Sequence, residues 1–593
     1  MRSQSLVAAL SLVGSATLAF HHQFPVNTAG ETGVRPLNIV NLNADNASLN
    51  NFSSNAEQWR FDEGPPENAT GNLIFDTVNS FLQHWPNTRY RNGHNIVPGV
   101  IPIGTLLYHG TSRNKIPSEP EWIATDPEHS IFFARGRDGR AWHLTLAATR
   151  SLKILYFDGS SAAKVMDGTM DIQFIVAWGE SIPERAGDEE VIKALCTWGK
   201  EFGIDGFARM EMDFEVMLCD FTAGVEVVSF LHVVVPKGEM SYPQPPPFDS
   251  DIWMRRFEGM HAGSWHNRYP GDSRIVLDLT GLISLYDTAL APSLVPVRAG
   301  LERCDHRVLG ISSNDISRLM RKLTEVVSRP DPVGSGIDWK TLIHVIVDRY
   351  ADRLELMQHI LNFTSSDSQE LLQRAKLAQA QLRIMLTPYL LHSTVVPSPD
   401  ASGIDAPQWA WASQIFRHCA TTHTSGMTNQ IPFMTSSEHL LLTAVEDTTR
   451  EICRVTTKMW ADGVMSGLDT LFEVERNGEP EVTRLMSEWR EEIYKLMSWL
   501  DWSVWIKCRP ACGPEEICFL PTWPVSAPLP EDPPPRYSRN TTDAPEAKYL
   551  ADQVRPPPEG QAIANAILFL STPAEDWRKP QPKCIRRLQP YRF

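Results

Sequence analysis

Two stretches of the chain carry the residue types that chemistry needs. The first, TLLYHGTSRNKIPSEPEWIATDPEHSIFFA at 105–134, closes an apolar strand with Tyr108-His109-Gly110-Thr111-Ser112. A histidine at a strand end, beside a glycine that lets the backbone turn and a ligand come close, is placed for binding. Further on, Asp126-Pro127 is a helix start, with Asp as N-cap and Pro at the first helical position. The second stretch runs from Gly203 through Asp205, Arg209 and Glu211 into Asp213-Phe-Glu215-Val-Met-Leu-Cys-Asp220. The two-residue period of a strand puts Phe214, Val216 and Leu218 on one face and Glu215, Met217 and Cys219 on the other. A carboxylate among such apolar neighbours is costly to desolvate, so it either reaches water in a cleft or finds partners. A solvated Glu on an edge strand is the plainer alternative.

Positioning these residues requires a sheet. Short β-like runs fall at 104–108, 142–146, 152–157, 214–219 and 225–235. Among them 188–202 reads as a helix, with Asp188, Glu189 and Glu190 at its start, Lys200 in its last turn and Gly203 as its C-terminal cap. Residues 20–95 read as an irregular lead-in and 236–251, rich in proline, as a linker. From about 252 to 505 helical periodicity dominates: 339–363 carries Leu342, Val345, Ile346, Leu354, Met357 and Ile360 on one broad face, and Ser366 with Gln369 suggests a capping box. The expected fold class is therefore α+β: a mixed, mainly antiparallel sheet domain at 96–235, a predominantly helical domain at 252–505, and a Pro/Cys-rich tail at 506–593.

Composition narrows the function classes. The chain has 593 residues, 42% hydrophobic, with a net charge of −16, so a phosphate backbone is a poor default partner. No apolar run reaches the ~20 residues of a membrane span. Arg2 followed by the apolar stretch 6–20, with Thr17-Leu18-Ala19 as a small-x-small site, reads as a signal peptide at 1–19, which makes the expected location extracellular. Sequons at Asn46, Asn51, Asn68, Asn362 and Asn540 agree with a secreted glycoprotein. Nine cysteines in an exported chain favour disulfides over zinc. Cys508, Cys512, Cys518 and Cys584 would staple the tail in one of three pairings; Cys304, Cys419 and Cys453 could add one bridge, while Cys196 and Cys219 read as buried thiols. His129 and His143 have no companion at metal-ligand spacing, so no metal is expected. A G-x-S-x-G elbow and Gly-rich phosphate loops are also missing from the sequence.

The segments Leu-Tyr-His109-Gly-Thr, Trp122-Ile-Ala-Thr-Asp-Pro-Glu-His-Ser-Ile-Phe-Phe-Ala and Phe214-Glu215-Val-Met-Leu resemble the three motifs of the ADP-ribosyltransferase-like superfamily, in its His-Tyr-Glu branch. The run 149–164, with Asp205-Gly206 and 210–215, also resembles a family of uncharacterised secreted proteins of filamentous fungi. The first resemblance covers about 96–235 and implies a secreted enzyme that takes NAD as substrate, transferring ADP-ribose to a protein acceptor or hydrolysing the nicotinamide bond. Glu215 would stabilise the oxocarbenium-like ribose and His109 would hold a ribose hydroxyl. Gly110, Thr111 and an aromatic among Trp122, Phe132 and Phe133 would line the cofactor pocket, since the tyrosine usual in the second motif is missing. On this reading His109 and Glu215 face one cleft. The competing readings are a non-catalytic secreted interaction protein with a degenerate form of this fold, and a carbohydrate-active hydrolase.

Overall fold

Strands form where branched and aromatic residues alternate with smaller ones. In chain order these are β1 (Asn95–Ile101), β2 (Leu106–Thr111), β3 (Glu121–Ala124), β4 (Arg140–Ala148), β5 (Leu152–Ser160), β6 (Gly206–Met210), β7 (Phe214–Leu218) and β8 (Val225–Val234). The computed structural model describes residues 59–134, 140–160, 168–181, 188–211, 213–234, 274–329, 333–397, 409–472, 481–520 and 579–588. The expected signal peptide at 1–19, the expected linker at 236–251, the sequons at Asn46, Asn51 and Asn540, and most of the tail lie outside the described residues.

Two short strands from later in the chain, β9 (Val276–Leu277) and β10 (Ile283–Ser284), both pair with β1 and complete a ten-stranded sheet, nine strands in the order β10-β1-β5-β6-β7-β3-β2-β4-β8 and β9 on β1 off this path. Among the described residues the strands pair antiparallel throughout, except β5 with β6, which is parallel. The fold is mixed α+β, as the periodicities indicate.

Both faces of this sheet are covered. Leu107, Ile123, Leu144, Val216 and Leu218 belong to one continuous core with Ile346 and Leu354 of helix Trp339–Leu361 and with Leu441, Val445 and Ile452 of helix Ser436–Met465. On the other face Phe157, Phe207 and Met217 pack with Ile172 and Ile175 of helix Asp171–Trp178, Val191 and Leu195 of helix Asp188–Lys200, and Leu319 of helix Ser313–Val327. Each such side chain contributes roughly 1.5–3 kcal/mol when withdrawn from water. Strands β6 and β7 are buried along their whole length as a result. The described residues fall in one compact unit, in which sheet and helices share a core.

Three local expectations change. The lead-in is helical at Gly71–Ser80 and His84–Arg89. The first of these helices is a core element: Phe75 stacks on Trp502 at 5.8 Å, and Asp76 takes Arg303 at 2.6 Å. The helix Ser368–Leu386 starts after Asp367, not Ser366, because the Asp367 carboxylate accepts the Gln369 N–H. Cys196 and Cys219 are not thiols; they form a bridge that ties helix Asp188–Lys200 to the residue following β7.

Three more bridges join Cys419 to Cys453, Cys508 to Cys518 and Cys512 to Cys584. The last two surround a small two-stranded sheet, β11 (Glu516–Phe519) with β12 (Lys583–Arg586), so the end of the chain is held covalently. Cys304 is buried and joins none of the four bridges. Among the described residues no helix is long and apolar enough to cross a membrane.

Candidate functional site

Strand β7 lies between β6 and β3, and β3 lies between β7 and β2. Glu215 stands opposite Arg209 of β6 and opposite Ala124 of β3, and Ala124 stands opposite Tyr108 of β2. Residues in register share a face, so Arg209, Glu215, Ala124 and Tyr108 point one way. His109 follows Tyr108 and therefore points the other way. The expectation that His109 and Glu215 face one cleft is corrected by this register.

The contacts agree with it. Glu215 is only 4% exposed, and its Oε1 accepts the Arg209 Nε–H at 2.7 Å. Arg209 in turn donates to Gln173 Oε1 at 3.1 Å from helix Asp171–Trp178, and its guanidinium lies 5.9 Å from the centre of the Trp122 ring. Burial pushes the Glu215 carboxyl up to about 7, against the pull of Arg209. On the opposite face the His109 Nδ1–H donates to the Trp122 carbonyl at 2.8 Å, and its Nε2 lies 3.4 Å from Glu121 Oε2. The His109 ring meets Phe221 edge-on at 5.5 Å, and burial lowers its pKa. The carboxylate beside His109 is thus Glu121, not Glu215.

The remaining candidates divide in the same way. A Cβ on Gly110 would fall 2.1 Å from the Ser130 carbonyl oxygen, so this glycine admits the helix Pro127–Ile131 rather than a ligand. Thr111 ends β2, and its Oγ1 accepts the Arg113 N–H at 3.2 Å. Trp122 lies on the Glu215 side, in register with Met217. Phe132 follows the Pro127–Ile131 helix, its N–H donating to the His129 carbonyl. Phe133 is 42% exposed and meets the His129 ring edge-on at 5.6 Å. His143 stacks on Tyr108, and its Nε2 lies 2.7 Å from Ser130 Oγ. That hydroxyl also donates to the Pro127 carbonyl, so its oxygen is left to accept from His143 and the pair is no activated nucleophile.

One buried group of titratable side chains was not singled out by spacing. His129 is 1% exposed and its Nε2 lies 2.9 Å from Glu211 Oε2. One ligand atom each from His129, Glu211 and Glu215 falls within 4.8 Å of the others, and all three residues are buried. Burial alone would lower the His129 pKa, but the Glu211 carboxylate overrides it and lifts it to about 9. His129 and Glu211 are separated by 82 residues, so no local motif could pair them. The only sequence signal is the Asp126-Pro127 helix start, which fixes His129 in a short helix against β2.

The chain is similar to known proteins. A family described as "YPL277C N-terminal domain" matches residues 49–143 and 135–251. Two proteins of Saccharomyces cerevisiae are similar to the chain: uncharacterized protein YOR389W, 28% identical over 384 residues, and uncharacterized protein YPL277C, 27% identical over 385. Each match covers 50% of this chain, and they span 59% and 76% of the respective relatives. No solved structure matches the chain. The family match therefore takes in β2, β3 and β7, and the names of the yeast relatives carry no activity.

Proposed function

We propose that the chain is a secreted, disulfide-tied interaction protein in which an ADP-ribosyltransferase-like arrangement of motifs has lost the site. One observation carries this reading: Glu215 is paired with Arg209 inside the sheet, on the face away from His109. A carboxylate that stabilises an oxocarbenium ion must reach the sugar, and Glu215 reaches a guanidinium instead. Trp122 lies beside Arg209, its ring centre 5.9 Å from the guanidinium, rather than over a pocket shared with His109. Secretion draws its support from the apolar leader and the four bridges, which persist in oxidising compartments.

Calorimetric titration of the full chain with NAD tests the first part. The reading expects no saturable heat up to millimolar NAD. Stoichiometric binding that His109→Ala removes would contradict it. Detecting the protein in culture medium, with an N-terminus near Phe20, tests the second part, and retention inside the cell with the leader intact would count against it.

A further inference from the structure

We propose that His129, Glu211 and Glu215 hold a divalent transition ion, of the Zn²⁺ class, inside the sheet domain. The three come from separate elements: the Pro127–Ile131 helix, the residue after β6, and β7. Their ligand atoms already converge within 4.8 Å. Around a tetrahedral ion with bonds of ~2.1 Å such atoms lie roughly 3.4 Å apart, which small side-chain rotations would reach. The His129–Glu211 approach, at 2.9 Å, is already inside that spacing.

The donor set selects the ion. One imidazole with two carboxylates suits Zn²⁺ or Mn²⁺, whereas Ca²⁺ and Mg²⁺ take oxygen donors throughout. Oε1 of Glu215 accepts from Arg209, and a carboxylate has two oxygens, so the residue can serve both neighbours. Asp213, fully buried in the turn between β6 and β7, adds negative potential at the same point. Gln173 steadies Arg209 and so orients the carboxylate from behind. A bound ion would fasten the short helix over β2 to the β6–β7 hairpin, a structural clamp rather than a catalytic centre. The alternative occupant of this spot is a proton on His129.

The test uses the full chain, stripped with a chelator, dialysed and titrated with Zn²⁺ alone and with Mn²⁺ alone. The proposal expects one ion per chain, a higher Tm on loading, and an affinity loss in His129→Gln and in Glu211→Gln above the roughly 10–100-fold that supporting residues alone cost. X-ray absorption of the Zn²⁺-loaded wild type covers the case in which these variants do not fold: it should show nitrogen and oxygen ligands including imidazole. Failure of both ions to bind stoichiometrically, binding unchanged in both variants, or sulfur in the coordination shell would each overturn it.

Discussion

Glu215 and His109 stand two strands apart in one sheet and project from opposite faces. The relay is short: Glu215 opposes Ala124, Ala124 opposes Tyr108, and His109 is the next residue. Oε1 of Glu215 is held by Arg209 at 2.7 Å, with both side chains almost wholly buried.

A pair of that kind is costly to halve. Arg209→Met leaves a buried carboxylate and Glu215→Gln a buried guanidinium, and removing one partner of such a pair costs about 3–5 kcal/mol. Replacing both, Arg209→Met with Glu215→Leu, should recover most of the loss. Denaturant unfolding of the three variants checks this. If Glu215→Gln alone leaves stability unchanged, the pair is not the anchor described here.

Gly110 is fixed by packing. The Ser130 carbonyl oxygen would lie 2.1 Å from an added Cβ, and the Ala134 nitrogen 2.9 Å. Gly110→Ala must push the Pro127–Ile131 helix off β2, at about 1–3 kcal/mol for an overpacked contact. Thermal unfolding should show the loss, and unchanged stability would mean the helix is not seated as described.

The tail depends on its long bridge. Cys512–Cys584 closes a separation of 72 residues, which on the chain-entropy model is worth about 4 kcal/mol. Cys512→Ser with Cys584→Ser should free the strand Lys583–Arg586 and speed proteolysis of the C-terminus. Non-reducing peptide mapping of the wild type should recover the 512–584 and 508–518 peptides, and any other pairing would refute the tail described.

Acid should destabilise the protein through His306. Burial, with Arg298 and Arg303 nearby, lowers its pKa to about 4. Tyr286 and His94 also face it, His94 is itself pushed well down by burial, and Asp305 works weakly in the opposite direction. A depressed imidazole excludes the proton in the folded state, while the unfolded chain takes it up near 6.5. The stability it confers is therefore full above 6.5 and is lost as the pH falls toward 4, by up to about 3 kcal/mol. Asp158, raised by burial to about 6, runs the other way over part of that window. The comparison is thus between wild type and His306→Gln at each pH, and parallel profiles would exclude the effect.

Strands and helices were legible because they depend on local periodicity. The helix read at 188–202 is Asp188–Lys200, the strand at 214–219 is Phe214–Leu218, and Glu215 does share a face with Met217. Register across β3 was not legible. A shift of one residue there would bring His109 onto the face of Glu215, and nothing local sets it. The same holds for Cys196 with Cys219 and for His129 with Glu211, which meet only through the sheet order. Helix Gly71–Ser80 was missed because asparagine and glycine in its sequence mask a face that packs against Trp502.

Nicotinamide release from NAD by the purified full-length protein tests the central claim most directly. With Glu215 held by Arg209 and His109 behind the sheet, release should not exceed the protein-free rate, and Glu215→Gln and His109→Ala should leave it there. Release well above that rate, falling on the order of a hundredfold in Glu215→Gln as expected for a lost charge-stabilising group, would show that Glu215 reaches substrate and would contradict the account.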